Sequence, residues 1–336
     1  MFQKIYDILV SFLGESKQGG YDQTKVQYQF PCPKCIEERG INEKYKYNLE
    51  VNLKSQVFQC WSCNNYDDSM KGKLSKLIKK YGGKEAYTEY KEEMASLINS
   101  KLYSLDELQG RTLLDNDVII ELPKSYTKIP NLELCNNYYV KSYLKKRKIT
   151  QDIIDKFNIG YTTWDDPDYY CRNRIVIPSY DEFGDLNYWS LRDFTGKAKS
   201  KYKNCSTEKN DIIFQESLID FDSDIILCEG TIDAIYIPNC ISLLGKTLRK
   251  QSKLCKDLKS KCRGNIIICL DSDTTIEETK KIYTTLNVGS LKGRVLYLRM
   301  EKYKDFGEMF EYGGKTAFLN EIKKIRRFKE IDLVLY

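Results

Sequence analysis

Histidine is absent from all 336 residues of this chain. No imidazole can serve as general base or metal ligand, so acid–base and metal chemistry falls to carboxylates, thiolates, lysines and water. Long apolar runs are missing too, and nothing approaches the roughly 18 consecutive apolar residues that a membrane span needs. The N-terminal stretch MFQKIYDILVSFLGESK is apolar at helical spacing. Asp7 interrupts it early and no small-residue cleavage site follows, so it reads as a short amphipathic helix packed on its own domain rather than a signal peptide. Charge imbalance is small: 54 basic against 48 acidic residues leave +6, which permits nucleic acid as a partner without demanding it. With 41% apolar and 30% charged residues, the expectation is a globular protein with no membrane contact and room for two or three domains.

What the chain has instead of histidine is cysteine, twelve in all. Without a signal peptide these belong in a reducing compartment, where paired spacings mean metal rather than disulfides. Cys32 and Cys35 form one Cys-x-x-Cys pair, and Cys60 and Cys63 form another. Each pair can present two thiolates from a tight knuckle, and two knuckles complete a tetrahedral zinc site. The segment between them, YKYNLEVNLKSQVFQC, alternates as a β-hairpin should, which would bring the knuckles together. Cysteine is also a common core residue, but the spacing favours one zinc ion, structural because four protein ligands leave no open position. The remaining cysteines lack knuckle spacing and read as packing residues. Trp61, between the second pair, could stack on single-stranded DNA or pack over the ribbon.

The rest divides by pattern. Residues 84–130 are charged and compatible with helices. NNYYVKSYLKKRKITQDIIDKFNIGYTT reads as a helix, a Thr150 cap and a second short helix. RNRIVIPSYDEFGDLNYWSLRDF reads as two strands joined at DEFG. From Asp224 onward, strands alternate with helices: DIILC, a helix to about Ile237, then CISLL. Leu248, Leu254, Cys255, Leu258 and Cys262 follow at helical spacing, then NIIICL, a helix over about Thr275 to Leu286, and RVLYLRM. Near-continuous aliphatic strands between helices imply a mainly parallel sheet covered on both faces, an α/β fold (α+β over the whole chain).

Two of these strands end in acids: Glu229 after DIILC, with Asp233 one helical turn on, and Asp271 and Asp273 after NIIICL. Ligands of open α/β sheets bind outside the carboxyl ends of strands, so these carboxylates should gather if their strands are neighbours. Several close carboxylates cannot all ionise without cations, and oxygen-only ligands favour Mg²⁺ or Mn²⁺. Asp305, just past RVLYLRM, is a further candidate. For Asp233 a capping or solvated helical acid is the lesser alternative. Gly-Lys-Thr occurs at Gly245–Thr247 and Gly314–Thr316, but a P-loop needs glycine five residues before the Gly-Lys, and Cys240 and Met309 stand there.

The ordered set of strand–Glu229–Gly230, strand–Asp271–Ser272–Asp273 and strand–Lys304–Asp305 resembles the TOPRIM domain shared by DnaG-type primases, topoisomerases and some nucleases, over about 224–314. Upstream, YLKKRKITQDIIDKFNIGY resembles the opening helices of a DnaG-type RNA-polymerase core. RNRIVIPSYDEFGDLNYWSLRDF and KYKNCSTEKNDIIF resemble its basic strands, and NCISLLGKT its glycine turn. With the cysteine pairs in front, the order of parts is similar to a bacterial or phage primase over most of the chain, residues 84–130 excepted. Two details depart from it: four cysteines where the bacterial zinc domain usually has one histidine, and Ser272 where glycine is common.

The resemblance implies a DNA primase, a DNA-directed RNA polymerase making short primers on single-stranded DNA from ribonucleoside triphosphates by two-metal nucleotidyl transfer. It implies Glu229, Asp271 and Asp273 as catalytic ligands of two Mg²⁺ or Mn²⁺ ions, with Asp233 and Asp305 as outer ligands. Arg174, Arg192, Lys201 and Lys246 would contact phosphates of nucleotide or template, Arg172 being a weaker candidate, and Tyr202 would stack a base or simply pack. The zinc domain would help select the initiation trinucleotide. The implied domains are a zinc ribbon at 1–83, a helical linker at 84–133 and the basic part of the polymerase core at 134–223. TOPRIM at 224–314 and a C-terminal tail at 315–336 complete them. The end at Tyr336 leads to the expectation of a separate replicative helicase, in the cytoplasm of a bacterium or of a phage-infected host. A RecR-like recombination mediator would be shorter and lack the basic core. A TOPRIM nuclease would be expected with an ATPase or other partner domain, and a topoisomerase with a separate tyrosine-bearing domain.

Overall fold

The computed structural model describes residues 2–63, 70–99 and 120–328, which divide into two compact units, Met1–Val118 and Ile119–Tyr336. In the first, helix α1 (Gln3–Leu13) buries Ile5, Ile8, Leu9 and Leu13, the face that its apolar spacing defines. Gly14, at φ 84°, ends it in a conformation open to glycine. An antiparallel sheet follows in the order β1 (Gln27–Phe30), β2 (Leu49–Asn52), β3 (Val57–Cys60), β4 (Lys71–Lys73). The expected hairpin is β2–β3, with Leu49 opposite Cys60. Tyr28, Phe30, Leu49 and Val51 are fully buried. The described part of this unit also contains helices α2 (Pro33–Arg39), α3 (Leu74–Leu77) and α4 (Gly83–Asn99), a 3-10 turn at Ile41–Tyr45 and a π-helical turn at Ile78–Gly82, and α1 packs against α4.

The second unit contains two sheets. One is antiparallel, in the order β5 (Thr127–Lys128), β6 (Gly160–Tyr161), β7 (Arg174–Tyr180), β8 (Leu186–Asp193), β9 (Tyr202–Asn204). The β7–β8 pair is the hairpin expected around DEFG. Helices α5 (Tyr138–Lys146) and α6 (Gln151–Phe157) precede it. Thr150 caps α6, its side chain accepting from Ile153 N. The other sheet is parallel throughout, in the order β11 (Cys240–Ser242), β10 (Ile225–Cys228), β12 (Ile266–Ile268), β13 (Val295–Tyr297). The pleat explains its continuous aliphatic runs. Ile226, Cys228 and Ile267 point into a core shared with Val140, Leu144, Ile175 and Ile177. Ile225, Leu227, Ile266 and Ile268 point the other way, among Leu254, Leu258, Ile282 and Leu286.

Four helices follow the parallel strands: α7 (Thr231–Ala234), α8 (Lys253–Lys261), α9 (Ile276–Leu286) and α10 (Phe306–Glu321). Thr275 and Glu278 form a capping box that starts α9, a contribution of about 1 kcal/mol. Two helix limits differ from the sequence reading. The helix expected to reach Ile237 stops at Ala234, because Pro238 disfavours helical backbone at the residue before it, and the chain tightens through Tyr236 N→Asp233 O and Ile237 N→Ala234 O bonds of 3.4 Å. Leu248 lies outside α8, which Ser252 caps through Cys255 N at 3.2 Å, though it still packs on the same core.

Candidate functional site

In the first unit the four cysteine thiols come together. Each is buried and free, and their sulfurs lie within 4.8 Å of one another. Cys32 precedes α2, Cys35 sits within it, Cys60 ends β3 and Cys63 lies in the turn beyond. The sulfurs lie 3.3 Å apart for Cys35–Cys63, 3.7 Å for Cys35–Cys60 and 3.9 Å for Cys32–Cys63. Thiols this close cannot all ionise unaided. A hydrogen bond from Cys32 holds the Cys60 thiol down to about 5. The same bond, with burial, pushes Cys32 well up, while burial raises Cys63 to about 12. Trp61 is 57% exposed and donates from Nε1 to Glu50 at 2.7 Å.

In the second unit the acids lie where neighbouring strands place them. β10 and β12 are adjacent, and Glu229, Asp271 and Asp273 have carboxylate oxygens within 4.8 Å of one another. Glu229 Oε1 accepts from Asp271 N at 3.2 Å and from the Thr274 hydroxyl, so Oε2 carries neither bond. The Asp-Ser-Asp turn is closed by Thr274 N→Asp271 O at 2.9 Å and tied to the next strand's loop by Ser272 N→Lys304 O at 2.7 Å. Ser272 is thus accommodated through its backbone, and its side chain displaces neither acid.

Asp233 and Asp305 stand apart from this trio and form a second pair. Asp305 caps α10, accepting from Glu308 N at 2.7 Å. Asp233, 7% exposed, accepts from Gly307 N at 2.8 Å. Arg147 Nη1, Asp305 Oδ1 and Asp233 Oδ1 would all lie 3.2–3.4 Å from a Cβ at position 307, so a larger residue there would have to displace these side-chain ends by a few tenths of an ångström. All of these acids except Asp273 line a cavity of about 400 Å³, with Arg147, Arg192, Lys201, Tyr202 and Lys304 among the other walls.

Electrostatics separates the acids. Burial, with Glu229, Asp305 and Asp273 nearby, pushes Asp271 up to about 7. Burial and Asp305 push Asp233 up to about 7. Burial also acts on exposed Asp273, but Lys246 and Lys304 outweigh it and hold that carboxyl below its ordinary value, at 3.4 and 3.5 Å. Raised carboxyls retain protons that the unfolded chain releases near pH 4, so without metal they favour folding below about pH 4 and lose that contribution as pH rises towards 7. A bound cation must displace the same protons. Mn²⁺ affinity is therefore expected to rise roughly tenfold between pH 6 and pH 7 and to flatten above pH 8. Calorimetric titration showing no change from pH 6 to 8 would contradict these environments.

The basic residues sort differently from the sequence expectation. Arg192 lines the cavity, its guanidinium 4.4 Å from the Tyr202 ring centroid, and Lys201 lines it too. Lys246 reaches Asp273 instead of the cavity wall. Arg174 does not face the cavity. It is 5% exposed, and its Nη1 donates to Ser200 O at 2.7 Å and Lys201 O at 3.3 Å, anchoring the loop before β9 because these carbonyls lie beside its strand. Arg172 is similarly spent, Nε donating to Asp166 O at 2.7 Å. Sequence reasoning gave no role to Arg147, Lys304 or Thr274. Arg147 sits in a basic run at the end of α5, where spacing cannot say which cation turns inward. The Tyr236 hydroxyl, bonded to Arg147 O at 2.6 Å, fixes that turn.

An N-terminal unit with a four-cysteine cluster is followed along the chain by an antiparallel sheet and by a parallel sheet edged with carboxylates. Structurally, the chain is similar to the zinc-binding and RNA-polymerase domains of the Aquifex aeolicus primase, with a TM-score of 0.51 and 19% identity, covering 96% of this chain and 83% of that one. In sequence it is 24% identical over 320 residues to a DNA primase of Thermotoga maritima, covering 82% of this chain. The chain spans about half that relative, 54% of its length. No family model matches the sequence.

Proposed function

We propose that this chain is a DNA primase, synthesising short RNA primers on single-stranded DNA from ribonucleoside triphosphates. The observation that carries the reading is the trio Glu229, Asp271 and Asp273, gathered within 4.8 Å at the carboxyl edge of a parallel sheet beside a cavity that cations also line. The donor sets fit two kinds of metal. A tetrahedral zinc with bonds of about 2.3 Å separates its sulfurs by about 3.8 Å, and the thiol separations of 3.3–3.9 Å accommodate it. The oxygen-only trio, with Asp233 and Asp305 as outer ligands, suits two Mg²⁺ or Mn²⁺ ions. Bound there, these would supply the positive charge that acidifies a 3′-hydroxyl and balances the departing pyrophosphate.

The chain's own residues do the rest. The 3′-oxygen forms a bond to the α-phosphorus, the bond to pyrophosphate breaks, and the hydroxyl proton leaves to a carboxylate or solvent. Thr274 and Asp271 N orient Glu229 for this. Lys246 and Lys304 keep Asp273 ionised. Arg147, Arg192 and Lys201, which line the cavity, would meet the phosphates of the nucleotide there. Template DNA and ribonucleotides are the partners this chemistry requires. A separate replicative helicase and the cytoplasm of a bacterium or infected cell follow from the resemblance.

The test is an assay with purified protein, mixed single-stranded templates and labelled ribonucleotides, with and without Mg²⁺ or Mn²⁺. Short RNA products that need both template and metal are expected. DNA binding without products, or degraded template, would replace the reading with a DNA-binding mediator or a nuclease respectively. Among the described residues no helix is long and apolar enough to cross a membrane.

A further inference from the structure

A second cavity, of about 410 Å³, opens beside the first and shares Arg192 and Lys201 with it. None of the five carboxylates lines it. One wall is a stripe of α5, Tyr139, Tyr143 and Lys146, at the three- and four-residue spacing that shares a helix face. The opposite wall is the loop after β8, with Phe194. The groove's one acid, Asp193, spends its carboxylate on that loop, accepting from Thr195 N, the Thr195 hydroxyl and Ala198 N. Cations therefore set the charge of the groove, and aromatic rings set its faces. The Tyr143 hydroxyl is buried there without a hydrogen-bond partner, an unusual state for a group that costs free energy to leave unpaired.

A cavity of this size matches a small-molecule site, and rings between cations match a base with its phosphates. An incoming nucleotide must place its α-phosphate over the carboxylates, so a groove without them suits a different nucleotide. A polymerase that starts a chain has such a need, because the nucleotide giving the first 3′-hydroxyl has no primer duplex to hold it. We propose that this groove holds the initiating ribonucleoside triphosphate, its base against Tyr139, Tyr143 and Phe194, its phosphates at Lys146 and its 3′-hydroxyl directed past Arg192 and Lys201. The inference rests on the primase reading and adds to it a nucleotide subsite.

The experiment measures first-bond formation with the initiating nucleotide varied, and separately the extension of a pre-annealed oligoribonucleotide, using the full chain. Tyr139 is 71% exposed, so Tyr139→Ser is a surface change. It is expected to raise the KM for the initiating nucleotide about tenfold and to lower extension by less than about twofold. A supplied dinucleotide should restore the rate. Tyr143→Phe, which keeps the ring, should show a smaller rise in the same KM. Equal loss of both steps, with weaker binding of single-stranded DNA, would make the groove a template path and overturn the proposal, as would an unchanged KM. If the wild-type chain makes no RNA on any template, the primase reading fails by itself. Metal-free titration with ATP then judges the groove: weaker binding by Tyr139→Ser keeps a nucleotide site, and equal binding removes it.

Discussion

Asp271→Asn is expected to cut primer synthesis by at least about a thousandfold while raising the thermal midpoint of the metal-free protein by a few degrees at pH 8. The two effects have one cause. Asp271 is pushed up to about 7 by burial and by Glu229, Asp305 and Asp273, so at pH 8 the folded protein holds an ionised carboxylate in a place that resists it. An amide of the same shape removes that cost. It also removes the anionic donor that a hard divalent cation needs. At pH 5 the native carboxyl is protonated in the folded state, so the stability difference should shrink. Circular dichroism melts at both pH values, beside a primer assay, read out both halves. Normal primer yield would remove Asp271 from the metal site. Lost synthesis with a lower midpoint at both pH values would mean that the substitution simply damages the fold.

The parallel sheet was legible because burial on both faces leaves an uninterrupted aliphatic run, as in Ile225–Cys228 and Ile266–Ile268, that few other environments produce. The meeting of Glu229 with Asp271 and Asp273 followed once those strands were taken as neighbours, since acids at adjacent carboxyl ends must share an edge. The cysteine cluster followed from its spacing and hairpin. Side-chain direction was not legible. Arg174 and Arg192 belong to one antiparallel pair, β7 and β8, with Arg192 opposite Ile175. Yet one guanidinium is buried against the Ser200 and Lys201 carbonyls and the other lines the cavity. Composition cannot separate them, because both are arginines on aliphatic strands. Arg147 was hidden for the opposite reason: it stands among Lys145, Lys146 and Lys148, and only the turn held by Tyr236 distinguishes it. Asp305 looked equivalent to the other strand-end acids. Its backbone partner at Glu308 shows that a helix cap and a pocket acid can be one residue.

Cys60→Ser is the second change with a large expected effect: loss of the zinc proposed for this cluster and, on the primase reading, of primer initiation. Cys60 ends β3 opposite Leu49 and accepts from Cys63 N at 3.4 Å, so it joins the hairpin to the second knuckle. A serine hydroxyl is a poor replacement for a thiolate on zinc, and the three remaining thiols are buried within reach of one another. Structural zinc binding contributes free energy of roughly 10 kcal/mol or more to folding of small modules, which this sheet alone has little means to replace. The damage should nonetheless stay local. Helices α1 and α4 pack together, and Ile5, Leu9 and Leu13 in α1 are buried without any of them being a ligand candidate. Amide exchange is therefore expected to rise across Leu49–Cys60 and to change little in α1. Zinc analysis should find the metal gone. Because the second unit contains the whole carboxylate site, extension of a supplied primer should fall much less than initiation on bare template. Equal loss of both steps would make the ribbon a purely structural element, and retained zinc with unchanged exchange would remove Cys60 from the ligand set.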